Sequence, residues 1–453
     1  MNGTFRHDPL GRNRTPVLVL GAGLSGLSAA RHLAPYPTVV VEREKDPGGT
    51  ARSVESGGFT FDYTGHLLHL HQETTRRLIR SLLKDNLVEC ERRAWIYSKG
   101  VRTRYPFQAN LYGLPWPVIE ECYAGLWTAR RRFGPDAPGG ETSVPFLDWC
   151  ERTFGRGITE HFMAPYNRKL WGTPLETLTA EWTGSFVPRP RLEDVLSGAL
   201  EDNQTAYGYN AKFFYPKRGG IQSLSRAMAE GLPDLRLGVS VEKVFWRDRR
   251  VKLSSGEDLT YSHLVSCLPL PELIRRLDPF PAELSEPLSR LRWTSVLCLN
   301  LGIRRAGISD ASWVYFPEKD FIFYRVGFPS NFTPHAAPAG CSSMYVEVSH
   351  KPGEGYESPA RRSALLKKVR AGLEKAGILR RSDELPVVNF LPIPYAYVLY
   401  DGARASSVET LLEWFREKAH GVSIGRYGAW KYSFMEEAIL DGKKTAGDLL
   451  SHL

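Results

Sequence analysis

Three glycines, Gly21, Gly23 and Gly26, follow the apolar run PVLVL and lead into LSGLSAARHLA in the spacing G-x-G-x-x-G. Glycine at these places permits a tight turn and a close backbone approach, while the helix that follows turns its positive N-terminus toward a pyrophosphate. Glu42 closes the next apolar run, TVVVE, about 20 residues further on, where a carboxylate accepts from ribose hydroxyls. The three-glycine motif is weak by itself. Its place between a strand and a helix makes it a dinucleotide site. No G-x-S-x-G elbow and no cluster with metal-ligand spacing occurs, so the chain shows no protein nucleophile or metal of its own.

The elements that position these residues begin with one βαβ unit. At 453 residues, with 42% hydrophobic and 24% charged side chains, the chain predicts two or three packed domains. Residues 1–15 read as a disordered arm, and 16–90 as the first part of a nucleotide domain. Residues 91–111 read as a segment of a second sheet. Between 112 and 207 long helical stretches rich in Trp, Arg and Leu predict a helical insertion. Residues 208–275 return to the nucleotide domain, and 276–404, with SVLCLNLGI, FIFYRVGF and CSSMYVEVS, predict an antiparallel substrate sheet. The last part, 405–453, ends in an amphipathic helix that closes the nucleotide domain. The fold class is therefore mixed α/β: a split Rossmann-type domain with a helical insertion and an antiparallel-sheet domain.

No apolar run reaches the eighteen or so residues of a membrane helix, and the start, MNGTFRHDPLGRNRT, is polar and basic. Six cysteines without a CxxC pair suit reduced thiols, so a cytoplasmic protein is expected. The formal charge of +9 comes with no nucleic-acid motif and reads as a solvated basic surface, then as ligands for phosphate.

The stretch after the ribose carboxylate, DPGGTARS, places Gly48 and Gly49 before Arg52. It is similar to the paired-glycine and arginine segment of amine-oxidase-type flavoenzymes, which implies FAD in place of NAD. Beyond that, the blocks GGFTFDYTGHLLHLH, RYPFQANLYGLP, APYNRKLWGTP, YNAKFFYPKRGG, YFPEKDFIFYR and GRYGAWKY resemble the UDP-galactopyranose mutases, closest to their eukaryotic branch, over most of residues 16–435. The resemblance implies a flavin contact for His66, and a catalytic part for His66 and Arg325. It implies a nucleotide pocket from Tyr105, Phe107, Gln108, Asn167 and Trp171, with Asn210 on the substrate. Tyr315, Arg325, Tyr397 and Tyr432 match diphosphate contacts; an arginine fork suits buried phosphate oxygens. Gly425 and Arg426 match terminal flavin contacts, and the Val241 backbone matches an adenine contact.

The implied reaction is redox-neutral covalent catalysis by reduced FAD on a nucleotide-sugar such as UDP-galactose, with NAD(P)H as a candidate external reductant. Two departures stand out. An arginine of the family near the sugar aligns with Phe186, with Arg189 or Arg191 as candidate replacements. After WKY the chain reads SFMEEAI, an ending seen in protoporphyrinogen-oxidase-like relatives. A flavin oxidase or desaturase acting on an amine, a porphyrinogen or a polyene is the rival reading, and a non-catalytic flavin binder a third. Base, sugar and oligomeric state stay open.

Overall fold

A computed structural model describes residues 14–34, 36–134, 144–184, 186–202, 211–356 and 358–451. Two large sheets carry the site, and the order of pairing explains why the chain leaves and re-enters each of them.

The first sheet is built on Arg14–Leu20, whose apolar residues Val17–Leu20 are buried from both sides. Parallel neighbours flank it, Thr38–Glu42 on one side and Asp258–Ser266 on the other. Residue runs without polar alternation, VLVL and VVVE, fit a parallel sheet covered on both faces. Leu235–Leu237 extends this sheet beyond Thr38–Glu42, and Gly421–Ser423 pairs parallel with the end of Asp258–Ser266. An antiparallel meander, Val241–Phe245 and Arg250–Leu253, completes the other edge, with Leu277–Asp278 outermost. The first strand starts at Arg14, so the arm expected over 1–15 gives way to sheet two residues early; residues 1–13 lie outside the described residues.

The second sheet has seven strands in the order Val387–Val398, Trp293–Ile303, Ser342–His350, Arg325–Gly327, Trp313–Tyr315, Ala94–Ser98 and Val101–Arg104. It differs from the expected antiparallel sheet at one place: Trp313–Tyr315 runs parallel to Ala94–Ser98. That pairing joins the early segment to the late one. Leu87–Glu91 and Lys212–Pro216 belong to neither sheet and pair with each other as a ribbon.

Helices Trp116–Phe133, Phe146–Ile158 and Ala164–Trp171 lie between these sheet segments in sequence. The first two cross with almost no gap, since a Cβ on Gly155 would fall 2.1 Å from the Gly125 carbonyl. The terminal helix, Met435–Leu450, packs on Leu24–Leu33, with Gly442 2.3 Å (as a hypothetical Cβ) from the Ser25 carbonyl.

Candidate active site

The glycine turn and Glu42 form one cradle. Gly21 has φ +99°, a conformation open to glycine, and a Cβ on Gly26 would sit 2.0 Å from the Gly21 carbonyl oxygen, so only glycine lets the helix meet the strand here. Gly23 differs: its φ is −70° and a Cβ there would meet nothing within 4 Å. The backbone of Gly48 docks beside it through its amide, which donates to the Ala22 carbonyl at 2.7 Å. Glu42 is buried and accepts from the Ala22 amide (2.8 Å) and the Glu44 amide (3.0 Å), which leaves acceptor capacity on both oxygens. Gly49 lies against Gly23, and Arg52 holds the Gly49 carbonyl at 2.7 Å while pairing with Glu44 and covering the Tyr63 ring. At the meander, the Val241 carbonyl is taken by Arg276 Nε at 2.9 Å.

The segment from Asp62 to His66 leaves the nucleotide domain and reaches the face of the second sheet. Asp62 is buried and accepts from Ser53 Oγ (2.6 Å), Tyr215 Oη (2.7 Å) and the Ile221 amide (3.2 Å). Burial pushes its carboxyl up to about 6 against the pull of those bonds. Its own carbonyl accepts from Asn300 Nδ2 at 3.2 Å, and Gly65 packs against the Tyr345 hydroxyl, so the loop is pinned to the sheet at two points. His66 follows with Nδ1 buried and without a hydrogen-bond partner among the described residues. Burial, together with the guanidiniums of Arg426 and Arg325, lowers its pKa to about 4, so the ring is neutral at pH 7. A roomy glycine turn, a carboxylate with spare acceptors and an orphaned imidazole nitrogen fit a flavin dinucleotide.

Sheet register sets the polar face. Cys298, Glu347, Arg325 and Tyr315 stand directly opposite one another across four neighbouring strands. Arg325 donates through Nε (2.9 Å) and Nη2 (2.7 Å) to Glu347, whose residue is fully buried. One row away, the Tyr345 ring crosses Gly327 so closely that any Cβ there would overlap it. Tyr324 Oη and Tyr397 Oη lie 3.4 Å apart, and the Tyr432 amide donates to Tyr400 Oη at 2.7 Å. Arg426, after Gly425 at φ +80°, donates to the Ala396 carbonyl at 3.1 Å and to the Ser433 carbonyl. Its guanidinium also lies 5.0 Å from the Tyr432 ring centre.

The helical insertion supplies the opposite wall. Trp171 Nε1 donates to Asn167 Oδ1 at 3.0 Å and Asn167 Nδ2 to the Met163 carbonyl at 2.8 Å, so that amide is bonded at both ends. Trp171 packs edge-on against Tyr397, 5.7 Å between ring centres. Phe107 is buried and stacked on Phe162 at 5.0 Å. Gln108 donates to the Pro188 carbonyl, with its Oε1 buried and without a hydrogen-bond partner among the described residues. Tyr105 meets Tyr315 at 5.3 Å. Phe186 stands edge-on to Tyr432 at 4.8 Å. Neither candidate arginine replaces the missing one: Arg191 pairs with Asp194 at the cap of Leu192–Leu200, and Arg189 lies over Trp149. Asn210 lies outside the described residues.

Glu347, Tyr324, Tyr345 and Tyr166 were not foreseen. Glu347 had a signal: it is the lone charge in the strand MYVEVS, on the face it shares with Tyr345 and Ser349 while Met344, Val346 and Val348 turn to the other. The tyrosines had none, because ring contacts such as Tyr166–Tyr315 (5.4 Å) join distant segments. Among the described residues no group of His, Cys, Asp or Glu could hold a metal ion, and no helix is long and apolar enough to cross a membrane. The six cysteines are free.

A family model, Flavin containing amine oxidoreductase, matches residues 24–450. A 4,4'-diapolycopene oxygenase of Methylomonas sp is 25% identical over 424 residues, covering 80% of this chain and 81% of that enzyme. A phytoene dehydrogenase of Streptomyces griseus is 58% identical over 323 residues, 64% of this chain and 60% of that one. Among solved structures, a reduced UDP-galactopyranose mutase superposes with a TM-score of 0.87 at 26% identity, covering 97% of this chain and 94% of the other.

Proposed function

Because the chain belongs to the family of flavin-containing amine oxidoreductases, we propose that it is a flavin enzyme acting on a nucleoside-diphosphate sugar and interconverting the sugar's pyranose and furanose forms. The observation that carries this reading is the charge at the polar face. Arg325 is balanced by Glu347, whereas Arg426 meets two carbonyls and the tyrosines Tyr397, Tyr427 and Tyr432 with no carboxylate ion pair among the described residues, so the site keeps a buried positive charge. A buried unbalanced guanidinium is costly, and a diphosphate relieves it through charge-assisted bonds. The fold shared with a UDP-galactopyranose mutase supports the same reading.

Gly21, Gly23, Gly26, Glu42, Gly48 and Gly49 would hold the dinucleotide, with Arg52 fixing the loop beneath it and Val241 and Gly425 at its edges. Bound FAD, in its reduced form, would supply the electron-rich centre that exchanges with the nucleotide at the anomeric carbon. Neutral His66 keeps a nitrogen free for a hydrogen bond to the ring system. Arg325, with Nη1 free of Glu347, would hold the diphosphate together with Tyr315, Tyr397 and Tyr432. Tyr105, Phe107, Gln108, Asn167 and Trp171 would wall the base and keep water out, and Asn210 would complete the sugar end. Since the sugar is isomerised, no external electron acceptor is consumed.

One observation favours a second reading. Phe186, Tyr432 and Phe434 make an aromatic edge where the mutases carry an arginine, and such an edge suits a polyene desaturase. The relatives named for diapolycopene and phytoene point the same way. The deciding experiment reduces the purified flavoprotein with dithionite under anaerobic conditions, adds UDP-, GDP- and dTDP-sugars in turn, and analyses ring size. Ring conversion that requires reduction is the expected result. No conversion, with oxidised flavin reduced instead by a polyene or an amine, overturns it.

A further inference from the structure

Helix Ala164–Trp171 carries two residues of the base wall, Asn167 and Trp171, and its last turn is fastened to the second sheet. Ser349 donates to the Leu170 carbonyl at 2.8 Å, and Thr294 donates to that of Trp171. Carbonyls at a helix end have no intrahelical partner, so these two bonds are what such a terminus requires. Lys169 adds a third fastening in the opposite sense, as a donor. Its Nζ donates to the Phe316 carbonyl at 2.6 Å and to the Glu318 carbonyl at 3.0 Å. Burial lowers its pKa to about 7, with the Glu318 charge pulling the other way. Either protonation form of the amine has the two N–H groups that these carbonyls take, so the tie persists through neutral pH.

The carbonyls it reaches belong to the connection between two short strands, Trp313–Tyr315 and Arg325–Gly327, so Tyr315 and Arg325 stand at the two ends of the piece that Lys169 holds. The Phe316 amide closes that connection by donating to the Tyr324 carbonyl at 2.9 Å. From another side the Glu318 carboxylate accepts from Ser98 Oγ and from the Lys99 amide, both at 2.8 Å, at the turn of the hairpin that leads into Tyr105. Tyr166, three residues before Lys169 and so on the same side of the helix, meets Tyr315 at 5.4 Å and Tyr324 at 6.3 Å between ring centres. One amine thus joins the helix behind the base to the strands beneath the diphosphate. We propose that Lys169 is a positioning residue: it sets the span between the base wall and the diphosphate wall, so that a nucleoside diphosphate meets both at once. The inference rests on the nucleotide-sugar reading above.

A ligand that spans both walls gains from their spacing, whereas a fragment that meets one wall does not. Isothermal titration calorimetry on the flavin-loaded protein, with UDP, GDP and dTDP, the matching nucleosides and inorganic pyrophosphate, tests the difference; far-UV circular dichroism and flavin content check that each variant is folded. Lys169→Met keeps the apolar stem and removes the donors. It should raise the dissociation constant of the diphosphate that the wild type binds tightest about tenfold, and leave those of its nucleoside and of pyrophosphate unchanged. Lys169→Gln, as a second variant, should act in the same direction. Lys169→Arg, which restores donors to both carbonyls, should return the affinity to near the wild-type value. Unchanged diphosphate affinity in the Met and Gln variants, a nucleoside or pyrophosphate weakened as much as the diphosphate, or no rescue by Arg would each overturn the proposal. A wild type that binds none of these ligands overturns the nucleotide-sugar reading itself, and the positioning role with it.

Discussion

Truncating Arg325 tests the polar face most directly, because two consequences separate. Glu347 is fully buried and takes both of its bonds from Arg325, at 2.9 and 2.7 Å. Arg325→Ala leaves that carboxylate without its counter-charge, which costs about 3–5 kcal/mol for a buried pair. An unfolding entropy of about 2.1 cal/mol/K per residue scales to about 0.95 kcal/mol/K for this length, so the melting temperature should fall by about 3–5 °C. Adding Glu347→Gln removes the stranded charge and should recover most of the loss. Ligand binding should behave differently: both the single and the double variant should lose the nucleotide-sugar, since neither has the guanidinium. Thermal melts by circular dichroism and titrations followed by flavin absorbance read the two effects. A single variant with an unchanged melting temperature, or a double variant as unstable as the single, refutes the buried-pair reasoning. Full nucleotide-sugar affinity in Arg325→Ala refutes the diphosphate contact.

The glycines of the turn should separate folding from cofactor binding. A Cβ on Gly26 collides with the Gly21 carbonyl at 2.0 Å, so Gly26→Ala should lower the melting temperature of the flavin-free protein. A Cβ on Gly23 meets no protein atom within 4 Å, so Gly23→Ala should leave that temperature unchanged and weaken FAD binding by tenfold or more, measured by fluorescence quenching. His66 should give a pH signature. Its folded pKa, lowered to about 4, lies below the unfolded value of 6.5, so the unfolded chain binds the extra proton between these values. The stability His66 permits is complete above about pH 6.5 and is lost as pH falls toward 4. Denaturant midpoints of the wild type should fall across that window more steeply than those of His66→Asn, and parallel curves would exclude the effect.

The glycine turn of the candidate site was readable as local pattern. Gly21, Gly23, Gly26 and Glu42 belong to one continuous βαβ unit, and their geometry follows from strand, turn and helix over about 20 residues. Other assignments changed on folding. Arg189 and Arg191 offered a charge for the gap at Phe186, yet one lies over Trp149 and the other caps a helix, because each found a partner nearby. Asn167 is bonded at both ends, to Met163 and Trp171, one helical turn away on either side.

By itself, the amino-acid sequence determined the glycine turn between strand and helix, the mixed α/β class and the helical character of residues 116–171, since these depend on periodicity and turn chemistry within short windows. The tertiary structure alone decided the balance of charge at the polar face. Arg325 and Glu347 are 22 residues apart and meet through strand register, while the Asp62–His66 loop reaches the same face through Asn300 and Tyr345. Register is a property of paired strands, and a one-residue slip would turn Glu347 to the opposite face. No single segment carries that information.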